Sequence, residues 1–204
     1  MFGLIVLLLI AAYLTISVLV VKKTMRWARA TGRSARRWGW VAGLAMYLPV
    51  FWDHIPTILL HQYLCATEQG FWVYKTVEEW QRENPGVAET LKWTNSAQSF
   101  EKRGITRGYI LNQRFVWEVH VKQPIPVLRV RTTENRIVDR ANGELMALFV
   151  SVGSGYGNMA TGGEGSWRFW LNMSACDQSS EMFARYRREI ERQGEMNGQR
   201  DRML

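Results

Sequence analysis

Four side chains able to bind metal or move protons fall within one short stretch: Asp53, His54, His61 and Cys65. On a continued helix His61 and Cys65, four apart, share a face, and His54 lies two turns back on nearly the same side. Imidazole and thiolate at that spacing can hold a soft or borderline metal ion. Two features oppose that use. Pro56 interrupts the helix that would align the ligands, and Cys176, the chain's only other cysteine, is a disulfide partner for Cys65. A Cys65–Cys176 bridge is the expected outcome. No cofactor and no metal are assigned, and His54, His61 and Cys65 are kept as candidate ligands.

The third histidine, His120, offers acid–base chemistry. Alternation places it with Glu118 on a polar strand face opposite Trp117 and Val119, where a solvated histidine is the commoner outcome. Glycines cluster in Gly153-Ser-Gly-Tyr-Gly157 and Gly162-Gly163-Glu-Gly165. A phosphate-cradling loop needs Gly-Lys-Ser/Thr running into a helix. Here no lysine follows and both flanks read as strands, so a hairpin connection is expected, with Tyr156 and Met159 at its tip. Ser154 lacks the outer glycines of a nucleophile elbow, because Val152 and Tyr156 occupy those positions. Asn172-Met-Ser174 matches a glycosylation acceptor by coincidence of composition.

These residues hang on an N-terminal frame that is far more legible. Residues Phe2–Val21 carry no charge, and only Tyr13, Thr15 and Ser17 are polar. About 20 apolar residues cross a hydrocarbon core roughly 30 Å thick. A cleaved signal peptide would place its basic residues before the apolar run; here they follow it, so a retained anchor is expected. A second apolar run, Trp38–Leu60, contains Pro49, Asp53, His54 and Pro56. It is read as a second span with kinks, its polar residues near the outer interface.

Between the runs lie Lys22, Lys23, Arg26, Arg29, Arg33, Arg36 and Arg37, with no acidic residue among them. The positive-inside rule puts that 22–37 loop in the cytoplasm. Both the N-terminus and everything after residue 63 then lie on the periplasmic side of a bacterial inner membrane. Formal net charge is +8, and residues 1–63 supply seven basic groups against one acidic, leaving nineteen against seventeen for the rest. The high isoelectric point thus reflects topology, and a nucleic-acid partner, which needs a basic face on the folded domain, is not expected. Anionic lipid at the loop is.

The remaining chain reads as an α+β domain with a mainly antiparallel sheet over 64–178, then an amphipathic helix and polar tail over 179–204. Cys65–Lys75 is expected as a strand. Thr76-Val-Glu-Glu79 is a capping box starting a short helix through Arg82, ended at Asn84-Pro85-Gly86. Tyr109–Val121 is expected as one strand. Val127–Asp139 and Glu144–Gly153 form a hairpin across Asn142-Gly143. Ser166–Met173 is expected as another strand, with Arg136 and Arg168 on solvent faces. Met182, Phe183, Tyr186 and Ile190 fall at helical spacing in the last helix.

Twelve per cent of residues are aromatic and ten are tryptophan, more than a small core needs. Such side chains favour surfaces half apolar and half wet, and Trp52, Trp72, Tyr156, Trp167 and Trp170 are the interface candidates. The sequence therefore points to a non-catalytic accessory or assembly subunit of an envelope complex. Its partners would be integral membrane proteins, with no small-molecule substrate. The alternative is a membrane-tethered periplasmic metal-binding or hydrolytic enzyme using His54, His61, Cys65 or His120.

Overall fold

A computed structural model describes residues 2–92, 99–100, 104, 107–156 and 168–200. Helix α1 runs over Phe2–Ala30 and α2 over Ala35–Phe51. Within α1, Leu7–Ala30 is long and apolar enough to cross a membrane, and its most apolar stretch of 18 residues holds no buried residue. The basic segment is mostly helix rather than loop. Lysine and arginine are good helix formers, so Lys22–Arg29 prolong α1, and Arg36 and Arg37 begin α2. The turn itself is only Thr31–Ser34, where Gly32 takes a φ of +68° that a side chain would resist. Trp27 and Trp38 meet edge-to-face at 5.4 Å across this turn, with the Arg33 guanidinium over both rings. The Tyr13 hydroxyl donates to the Met46 carbonyl, tying α1 to α2.

The apolar run over 38–60 does not form one straight helix. It breaks after Phe51, and α3 (His54–Thr67) leaves at a bend of 66°. Pro56 explains the position: in the first turn of a new helix its missing N–H costs nothing, whereas inside a continued helix it would clash. One helix of spanning length and one bent pair therefore stand where two crossing helices were expected. Helix α3 packs on the sheet, its Leu64 joining Leu128, Val130 and Val152 in a small core beside Cys65 and Cys176.

Six antiparallel strands follow: β1 (Gly70–Val73), β2 (Ser99–Phe100), β3 (Arg107–Ile110), β4 (Phe115–Lys122), β5 (Val130–Asp139) and β6 (Leu145–Ser154). Their order is β1-β6-β5-β4-β3-β2. The expected 65–75 strand shrinks to β1, because Cys65–Thr67 continue α3. The expected 109–121 strand is two strands folded at Asn112, whose Oδ1 accepts from the N–H groups of Arg114 and Phe115 at 2.9 and 2.7 Å, an Asx-type turn. The 140–143 turn forms as expected, with Gly143 at a φ of +73°. In place of a 166–173 strand, Phe169–Leu171 make a single 3-10 turn, and Cys176 bridges Val152. The segment 157–167, holding most of the glycine cluster, Met159 and Trp167, lies outside the described residues.

The capping box is complete: Thr76 Oγ1 accepts from Glu79 N–H, and Glu79 accepts from Thr76 N–H at 2.9 Å, opening α4 (Val77–Glu83). Helix α5 (Ser180–Arg200) lies over the sheet. Its Phe183, Tyr186 and Ile190 join Val77, Trp80, Phe115, Ile137, Met146 and Phe149 in the main core. Each such side chain contributes about 1.5–3 kcal/mol on burial. Met182, expected on that face, is half exposed.

Candidate functional site at the helix break

The α2–α3 break gathers the polar residues of the second apolar run. Asp53, at the corner, is fully buried. Its carboxylate accepts from Arg168 Nη1 at 3.0 Å and from the Trp170 indole at 3.4 Å. Trp170 packs on Phe51, centroids 4.7 Å apart, and Phe51 stacks on Tyr47. Arg168, expected on a solvent face, is thus turned inward, because a carboxylate in an apolar run needs a cation. A buried charge without one costs several kcal/mol.

The contacts continue from the first residue of α3 onward. The Tyr47 hydroxyl and His54 Nδ1 lie 3.0 Å apart. Thr57, also fully buried, donates to the Leu128 carbonyl at 3.1 Å, pinning α3 to the segment before β5. His61 is buried against the bridge between Cys65 and Cys176, whose Cα atoms are 5.8 Å apart across 111 residues. Its ring nitrogens lie 3.7 Å from Cys65 Sγ, and Nε2 lies 4.0 Å from Cys176 Sγ. Burial holds the His61 imidazole below its ordinary pKa, partly offset by a backbone hydrogen bond to Ser174.

The expected ligand set is therefore regrouped. His61, Cys65 and Cys176 offer ligand atoms within 4.8 Å of one another, whereas His54 is engaged with Tyr47. Metal binding needs thiolates, and in this bonded state both sulfurs are committed to each other. The cluster as it stands is a structural clasp. It fixes α3, and through Asp53 the end of α2, to the sheet.

On the sheet, Glu118 is buried rather than solvated. His120 sits between its carboxylate, 3.4 Å from Nε2, and the Gly104 carbonyl, 2.9 Å from Nδ1. A second buried carboxylate went unforeseen. Asp139 accepts from the Trp80 indole at 2.9 Å, from Arg114 Nε at 2.7 Å and from Ala141 N–H at 2.9 Å. Burial alone would raise its pKa, but these donors outweigh it and hold the carboxyl below the usual range.

Of the interface candidates, Trp52 and Trp72 remain exposed, whereas Trp170 faces Asp53. Tyr156 lies under the Arg129 guanidinium at 4.9 Å. Trp72 and Tyr74 border an open hollow of about 440 Å³ shared with Glu68, Thr132 and Glu134. Comparison of the chain with protein families, with curated proteins and with solved structures finds no match.

Proposed function

We propose that this chain is a non-catalytic accessory or assembly subunit of a bacterial inner-membrane complex. In this reading α1 and α2 are the anchor, the basic turn faces the cytoplasm, and the sheet domain docks partners on the periplasmic side. The observation that carries it is the edge strand β1. Trp72 and Val73 on it, and Tyr74 just after it, stay 42%, 43% and 59% exposed, and among the described residues β1 has a hydrogen-bonded neighbour on one side only. A bare strand edge with aromatic side chains is suited to strand addition by another chain. The uncovered apolar surface of α1 supports the anchor, since water would not tolerate it.

The test is native pull-down of the full chain, tagged at its C-terminus, from mildly solubilised membranes. Recovery with membrane-protein partners is expected, and Trp72→Glu should reduce it at least several-fold while the chain stays folded. Recovery as a lone monomer would overturn the reading. Reporter fusions after Gly32 and after Leu204 should report opposite compartments; a shared compartment would overturn the anchor.

The enzymatic reading keeps one favouring observation, His120 held between the Glu118 carboxylate and a backbone carbonyl. It requires a hydrolytic activity in the purified protein that His120→Ala abolishes.

A further inference from the structure

The α1–α2 pair carries a groove that this anchoring role leaves unused. Two cavities of about 380 and 580 Å³ lie along the pair, and Val21 and Gly43 line both. The first is walled mainly by apolar groups from Leu14 and Val18 on α1 to Met46 and Phe51 on α2, with Lys22 also lining it. The second reaches the basic turn, where Arg29 and Arg36 line it. Gly43 forms the shared floor: a Cβ there would meet nothing within 4 Å, whereas one at Gly39 would press on Met25 at 3.0 Å. The notch exists because position 43 has no side chain.

Charge distinguishes the two ends. No acidic residue precedes Asp53 in the sequence. Arg33 is occupied by the rings of Trp27 and Trp38. Among the described residues, Arg29 and Arg36 have no acidic partner. From Arg29 to Leu14 the helix rises about 22 Å, enough for a headgroup layer plus one leaflet of a core roughly 30 Å thick. A groove cationic at the interfacial end and apolar below matches an amphiphile with an anionic head.

We propose that this groove is a binding site for one anionic phospholipid of the cytoplasmic leaflet, its phosphate on Arg29 and Arg36 and one acyl chain over Gly43. The site rests on α1 and α2 lying in the bilayer with the turn inward. It differs from general attraction to a negative surface, because two of the seven cations and one glycine carry it.

Native mass spectrometry of the full chain in detergent, titrated with palmitoyl-oleoyl phosphatidylglycerol or the matching phosphatidylcholine, tests it. Phosphatidylglycerol should be retained about tenfold more strongly. Arg29→Gln with Arg36→Gln should remove the preference, whereas Lys23→Gln with Arg37→Gln, equal in charge and lining neither cavity, should keep most of it. Gly43→Leu, a favourable helix substitution that fills the notch, should weaken retention of both lipids. Equal retention of the two lipids, loss of preference in both charge pairs alike, or an unaffected Gly43→Leu protein would each overturn the site. A partner helix co-purifying in the groove and blocking lipid would overturn it too. Failure of the anchor is separately visible: such a protein would be monodisperse without detergent.

Discussion

Asp53 is the residue on which the junction turns. Its carboxylate is shielded from water and holds Arg168 and Trp170, residues more than a hundred positions later. Asp53→Ala would leave the guanidinium facing an apolar corner. The expected loss is about 2–4 kcal/mol, below the full cost of breaking a buried pair because part of Arg168 still meets solvent. Urea unfolding of the intact protein in detergent measures it. Adding Arg168→Met should recover part of the loss; strict additivity of the two changes would show that they do not interact. From the sequence Asp53 was expected near the outer interface, and nothing local said which distant cation it would meet. Glu118 was misread for a related reason. Alternation sorts a strand into two faces without saying that both are covered.

At the scale of elements, what is encoded within a few residues was legible. The Thr76–Glu79 capping box starts α4 where expected, and Gly143 closes the β5–β6 hairpin, because each is decided by neighbouring backbone and side-chain groups. What depends on distant contacts was not. The short β1 and the 3-10 turn at Phe169–Leu171 follow from how α3 and the segment around Cys176 pack on β6. The clasp itself was foreseeable, since two cysteines had one pairing available. Closing a loop of 111 residues removes unfolded-state entropy worth about 4–5 kcal/mol in the chain model. Replacing Cys65 and Cys176 with serine should lower stability by about 2–5 kcal/mol, read as a shifted urea midpoint. A midpoint indifferent to a phosphine reductant in the parent protein would show that the bridge contributes nothing.

For the whole molecule, the balance of titrating groups sets an acid limit. The Lys75 ammonium holds Glu144 below the usual carboxylate range. Glu134 and Asp139 are also low, their donors and cations outweighing the upward push of burial. A carboxylate lowered in the fold contributes stability that is fully present above about pH 4 and is lost as pH falls through its folded value. Glu189 works in the opposite sense, raised first by burial and then by Glu78. His61, held low by burial, costs stability as pH falls below about 6.5, so with three carboxylates lowered against one raised in this set, stability should ease below about pH 6.5 and fall further below about pH 4. Circular dichroism with urea at successive pH values checks this, and Asp139→Asn should flatten the acid limb. An unchanged midpoint at pH 3 would show that these pairs are not felt by the fold.

The 66° corner between α2 and α3 also governs how far the protein can reach. If α2 follows the bilayer normal, α3 lies only 24° from the membrane plane, the complement of that bend. There is no stalk: the corner is two residues long and is clasped at Asp53, Thr57 and Cys65. The sheet domain would then ride low, like a cleat bolted to a deck, with its bare strand edge at a fixed height. A partner would have to come down to the membrane surface to meet it, and lengthening the corner with a flexible insert would free the domain while disabling the alignment.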